Sequence, residues 1–376
     1  MFIFPILFFS ISTPHLFAEE TNSTVFEPKF LGSQSCSASS CHGGAGEKSK
    51  QYTIWSTHDF HHARPYATLE TARSERLAEV LRIANPTQST RCTVCHAPFA
   101  TVPAERLARD VTVTEGISCE SCHGPAENWI RSHTRPDYTH ADRVASGMRD
   151  MHSLYVRANT CVACHQAVDP EIRAAGHPEL IFEMDGQSAK MPRHWSKVND
   201  KPGPQIWLVA QAVAFREQDW QLFREKISPA NAPGYSLGIM WVVDRSATAL
   251  GMDLPKGNLS AEFLRMKVDQ FAKDVAQLDW TEMQTRKCLS ALSATSPDFR
   301  DASASAGVQA RRAERLVLAL DRLTAGLDVT RTNSAVNQSL NKLFADAQSL
   351  PDFNPIQFAN DLNTFHSSVA GFLETK

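Results

Sequence analysis

The stretch Gly116-Ile-Ser-Cys119-Glu-Ser-Cys122-His123-Gly-Pro-Ala-Glu-Asn-Trp-Ile-Arg-Ser-His133 carries the pattern from which the rest of the chain is read. Two thiols are separated by two residues, an imidazole follows the second thiol at once, and a Gly-Pro step breaks the chain after it. The same Cys-x-x-Cys-His arrangement recurs at Cys92, Cys95 and His96 and at Cys161, Cys164 and His165. A wider form, Cys36-Ser-Ala-Ser-Ser-Cys41-His42, precedes them. Eight of the nine cysteines are used in this way.

Covalent attachment of haem needs two thiols that reach the two vinyl groups on one porphyrin edge. It also needs an imidazole directly after the second thiol, brought under the iron by the same turn of backbone. A zinc site would combine the pairs into four-ligand sets and gives no role to the trailing histidine. A thioredoxin-like dithiol would present one pair between a strand and a helix. Four copies of the complete motif therefore predict four covalently bound haem c groups. In the first copy the two extra residues can loop out while both thiols still reach one porphyrin; a Cys36–Cys41 disulfide is the competing reading. Cys288, sharing a helical face with Leu289 and Leu292 in TEMQTRKCLSALS, reads as a buried free thiol.

Of the 14 histidines, nine remain after His15 and the four motif ligands, and only His366 of these lies in the second half. The other eight crowd between His58 and His194, which predicts that most irons take a second imidazole and have low potentials. Met148, Met151, Met184 and Met191 are the sulfur alternatives. His61 and His62 fall in a segment, residues 55–67, expected to form a helix against the first haem. His133, ten residues beyond His123 and past the Gly-Pro break, cannot turn back to the same iron but can reach a neighbouring one. His177, in Ala175-Gly176-His177-Pro178, sits on a constrained turn suited to a ligand. His58, His140, His152 and His194 are left in reserve. Arg64, Arg91, Arg131, Arg135, Arg143, Arg157 and Arg173 are candidates for pairing with haem propionates, or form a solvated surface.

The 376 residues suffice for two domains. Charged residues make up 21% and the net charge is −3, so nothing points to nucleic acid or to a membrane surface. Residues 1–17, MFIFPILFFSISTPHLF, are almost wholly apolar and lead to Ala18 and an acidic pair. The run is too short to span a bilayer, and residues 1–18 are expected to be a cleaved signal peptide, with a retained anchor as the other reading. The mature chain is then periplasmic or otherwise exported, and no later stretch is apolar enough for a membrane span.

Residues 19–199 show little sustained periodicity, with short helical stretches expected at 72–83 and 103–110. So thin a polypeptide cannot build its own core, and haem faces are expected to supply much of it. Residues 200–376 differ. Leu264, Val268, Phe271, Val275 and Leu278 repeat at helical spacing, as do Ala313, Leu316, Leu320, Leu323 and Leu327. Val336, Leu340, Leu343, Ala347 and Leu350 form another such stripe, and Phe358, Leu362, Phe365, Val369 and Phe372 a fourth; 206–223 gives a less regular fifth. Ser260 and Asn354-Pro355 are good helix starts. The Ala and Ser content at 290–308 reads as a linker. The expected fold is mainly α: a loop-rich multihaem domain, then an antiparallel helical bundle.

The segments quoted above resemble the cytochrome c-554 family of multihaem cytochromes. The likeness lies in Gly-x-x-Cys-Glu-x-Cys-His-Gly-Pro with a histidine ten positions on, in residues 55–67, and in Ala-Gly-His-Pro-Glu-Leu at 175–180. It covers about residues 30–195. It implies four haems in closely stacked pairs on a helical, loop-rich scaffold that shuttles electrons among periplasmic nitrogen-cycle enzymes. It further implies that His133 ligates the haem at Cys36 and Cys41, His61 the one at Cys161 and Cys164, and His177 the one at Cys119 and Cys122. The second iron, at His96, can be five-coordinate in such proteins. The wider first motif and the neighbours of His61 depart from the family pattern.

The expected function is a relay between redox partner proteins, with the C-terminal helices as a possible docking module. The alternative is a haem enzyme acting on nitric oxide, nitrite or hydroxylamine at an open iron, which would need distal groups to manage protons and developing charge.

Overall fold

A computed structural model describes residues 27–47, 49–166, 168–195, 201–227, 234–257, 259–348 and 352–373. The expected signal peptide lies outside the described residues. Among those described, the chain is helical and has no strand. The single β contact is a bridge between Phe30 and Leu107, which bond through Phe30 N to Arg106 O (2.9 Å) and Ala108 N to Phe30 O (2.8 Å).

The first half is a series of short helices. The expected single helix over 55–67 is instead two pieces, Gln51–His58 and Phe60–Ala63, followed by a 3-10 turn at Pro65–Glu70. Asp59 makes the break: it leaves helical geometry, and its side chain caps the second piece by accepting from the His62 amide. The stretch expected at 72–83 is a helix over Ala72–Val80, and 103–110 supplies only the 3-10 turn Ala104–Arg106. Buried apolar side chains are sparse here: Leu69, Ala78, Ala97, Phe99, Ala126 and Trp129. Polar clamps stand in for a core. Glu120, fully buried, accepts from the amides of Leu31 (2.9 Å), Gly32 (2.7 Å) and Ala126 (2.7 Å). Glu115 accepts from the Ser33 hydroxyl at 2.7 Å.

The second half has an apolar core of its own. The Ala306–Gly326 helix is central, packing on Gly203–Arg224, Gly234–Ala249, Glu282–Ser293, Ser334–Ala347 and Pro355–Leu373. Its Ala313, Leu316, Leu320 and Leu323 are fully buried. Ser260 and Asn354 cap their helices as expected, Ser260 accepting from the Phe263 amide and Asn354 from the Ile356 and Gln357 amides. The linker expected at 290–308 is corrected. Glu282–Ser293 is a core helix that buries Cys288, Leu289 and Leu292, and a further turn, Ser296–Arg300, buries Phe299. Small residues there permit close packing and do not loosen the chain.

The Gly203–Arg224 helix joins the halves. Its apolar residues surround it because it is covered on several sides, by Ala261–Gln277, Gly234–Ala249, Leu154–His165 and Met184–Lys190. Leu154, Ala158, Val162, Phe182 and Met184, all from before residue 200, share this core. Two of its buried polar side chains bond to neighbouring segments. Gln211 donates to Phe182 O (2.7 Å) and Glu183 Oε1 (3.1 Å), and Arg216 to Asn159 Oδ1 (2.5 Å) and to Asp269.

Candidate haem-binding site

Three of the four motif histidines close a helix that carries their own cysteines: Thr90–His96, Cys119–His123 and Leu154–His165. In the wider first motif the backbone turns through Cys41 N to Ala38 O (2.8 Å) and His42 N to Cys36 O (3.2 Å), so the additional residues loop out between the thiols. All nine cysteines are free thiols. The thiols of Cys36 and Cys119 influence each other's ionisation and so lie close together, as do those of Cys95 and Cys164. First and third motifs thus adjoin, and second and fourth. Cys119 lowers the Cys36 thiol to about 7, helped by Ser35 and opposed by burial and by Glu120. Burial pushes the Cys161 thiol up to about 12.

The imidazoles fall into facing sets. His42 and His133 have ring centres 6.1 Å apart with planes 20° from parallel, and His62 and His165 have centres 6.2 Å apart at 80°. Two imidazoles on opposite sides of one metal ion, each nitrogen about 2 Å from it, have ring centres roughly 6 Å apart. In each ring Nδ1 is already engaged. His42 meets Gln51 Oε1 at 3.0 Å, His133 meets Trp129 O at 3.2 Å and His62 meets Asp59 Oδ2 at 2.9 Å, all acceptors, whereas His165 Nδ1 lies 3.3 Å from the Gln187 amide nitrogen, a donor. Where Nδ1–H meets an acceptor, as in His42, His133 and His62, the ring is oriented and Nε2 is left for a metal; in His165 the Gln187 contact orients the ring alone. His96 follows the same rule, its Nδ1 lying 2.9 Å from both Pro65 O and Thr68 Oγ1.

His123 is pushed down to about 4, first by burial and then by the neighbouring His194 and His42 rings. Burial also lowers His165, with His62 acting in the same direction, and lowers His194. Neutral imidazole is the form that ligates a metal. The donor set, its spacing and its protonation therefore fit covalently held haem.

The placement of the expected distal residues is uneven. His133 faces His42. His61 is exposed, and it is His62, one residue on, that faces His165. The break at Asp59 resets the helical register and turns His62 inward. His177 bonds its own Pro178 O at 2.8 Å, on a turn tied to Arg73 through Gly176 O (2.9 Å). Of the rings that lower His123, His194, from the reserve group, acts most, ahead of His42 and His133. Of the arginines between motifs, Arg91 is committed to Asp169 (2.7 Å) and Glu171 (3.0 Å), and Arg135 to Asp137.

The residues around these rings explain the quoted motif. Gly116 has φ +82°, and a Cβ there would lie 2.7 Å from His62 O and 2.6 Å from Pro65 Cδ. That close approach lets Ile117 N bond His62 O at 2.8 Å, so the lead-in to the third motif holds the ligand segment of the fourth. Gly124 has φ +81° and ends the Cys119–His123 helix. Trp129 packs edge-on to His133, ring centres 5.5 Å apart, while Trp55 donates to Ile117 O at 2.8 Å. Sequence reading missed Asp59, Gln51 and Gln187; a carboxylate three residues before His62 was the one local signal among them.

Residues 35–124 match the family model for cytochrome c554 and c-prime. The matched span runs through the first three motifs and ends one residue past His123. The match implies a c-type haem electron carrier. No curated protein and no solved structure matches the chain.

Proposed function

We propose that this chain, a cytochrome c554 and c-prime family protein over residues 35–124, is an exported tetrahaem cytochrome that relays electrons between redox partners. Four haem c groups would be held by Cys36 and Cys41, Cys92 and Cys95, Cys119 and Cys122, and Cys161 and Cys164, with His42, His96, His123 and His165 as proximal ligands. Distal ligation is assigned to His133 opposite His42, His194 opposite His123, and His62 opposite His165. The observation that carries this reading is the pair of facing imidazole sets at 6.1 and 6.2 Å.

Haem supplies a reversible one-electron site whose potential follows its axial ligands and burial. The chain's own residues do the rest. Asp59, Gln51, Gln187 and the Trp129 and Pro65 carbonyls fix ring orientation. The approach of Cys36 to Cys119 and of Cys95 to Cys164 supports short spacing between centres, which a relay needs. Residues 1–18 would direct export, and the C-terminal helices are the candidate docking module.

Intact-mass measurement of the mature, reduced protein tests the count: the reading expects four covalent haem additions per chain and fails with fewer. Electron paramagnetic resonance on the same sample tests ligation, with low-spin signals expected from the three bis-imidazole sites.

A further inference from the structure

We infer that His140, Asp150 and His152 form a binding site for a single zinc-class divalent cation, separate from the haem-binding imidazoles. His140 Nε2 lies 3.0 Å from Asp150 Oδ1, and the His152 ring stacks on His140 with centres 4.5 Å apart and planes 14° from parallel. One ligand atom from each of the three residues can be chosen so that all lie within 4.8 Å of one another. A zinc ion holds nitrogen and oxygen donors at about 2.0–2.2 Å, so small rotations of two half-exposed rings would close the set around an ion. Two imidazoles and one carboxylate suit zinc, with water completing the shell; calcium and magnesium favour all-oxygen sets.

The backbone fixes the three residues independently of any ion. His140 is the first residue of the His140–Ala145 helix, whose start is set by reciprocal bonds between Thr139 and Asp142. Asp150 Oδ1 accepts from the His152 amide at 3.0 Å, which holds the other two donors side by side. Next to them Arg149 bonds His123 O through its amide (2.8 Å) and Ser121 O through its guanidinium (2.7 Å), and Leu154 opens the helix of the fourth motif. An ion here would clamp the segment that links the third motif to the fourth. His140 and His152 are exposed, so the ion has access from solvent.

The test uses the full-length protein as purified, stripped of loosely bound metal with a chelator and titrated with zinc chloride alone. Calorimetry and metal analysis should give one zinc per chain, and His140→Ala and His152→Ala should each weaken binding at least about tenfold, the loss expected for removing even a supporting partner of a ligand. His58→Ala, at an exposed histidine elsewhere, should leave it unchanged. A second measurement needs no variant: zinc should protect His140 and His152 of the wild-type chain from modification by diethyl pyrocarbonate, read by peptide mass. No uptake at millimolar zinc, binding that persists in both variants, or equal modification with and without zinc would overturn the site.

Discussion

At the scale of single residues, the one-position difference between His61 and His62 gives the sharpest prediction. His62→Ala should convert one of the haems to a high-spin, ligand-accessible form and raise its potential, whereas His61→Ala should leave the spectrum as it is. Absorbance and paramagnetic resonance of the two variants check this, and a matching response from both would refute it. Glu120 offers a second. Glu120→Ala leaves three amides without their acceptor, two of them entirely within the fold. A loss on the order of 3 kcal/mol is expected in chemical denaturation, with Glu120→Gln costing less. The four cysteine–histidine motifs were legible in the sequence because the covalent attachment proposed for them is a local demand, satisfied within a turn or two of chain. Of the imidazoles proposed as distal, His133 was named from the sequence and faces His42, while His62 and His194 were not singled out. His62 depends on a helix break that Asp59 creates, and His194 stands far along the chain from His123, so neither position has a spacing rule.

At the scale of elements, the regular stripes of the C-terminal half became helices because one apolar face each is enough to seat them on a common core. The Gly203–Arg224 helix gave a blurred pattern because it is covered on several sides, and Gly234–Ala249 went unread although Ile239, Val242, Val243 and Ala247 are fully buried. Burial around the whole circumference erases the periodicity by which a helix is recognised. The same junction carries a titration. Burial pushes the Glu183 carboxyl up to about 8, although Arg315 pulls it the other way. The unfolded chain would release that proton near an ordinary glutamate value of about 4.3. Between these values the folded state holds the additional proton, so stability falls as pH rises through that window. Glu183→Gln should flatten the slope, as measured by denaturation midpoints across the range; an unaltered slope would mean the carboxylate is ionised against Arg315.

For the whole molecule, the two halves differ in what holds them together. Residues before 150 bury few apolar side chains, whereas those after 203 share a continuous core. A chain made without haem, by replacing the eight motif cysteines with alanine, should lose its N-terminal half to limited proteolysis and leave a protected fragment beginning near residue 200. Mass spectrometry of the digest would show it, and equal protection of both halves would sink the idea. The helix from Leu154 to His165 belongs to both regimes, carrying the last pair of thiols on one side and setting Leu154, Ala158 and Val162 against the Gly203–Arg224 helix on the other. That dual membership orders maturation. Under the proposed reading, the thiols and proximal histidines of the first three motifs all precede this helix in the chain. The fourth acquires its backing wall only after the following segments have been delivered, so its assembly is tied to completion of the chain.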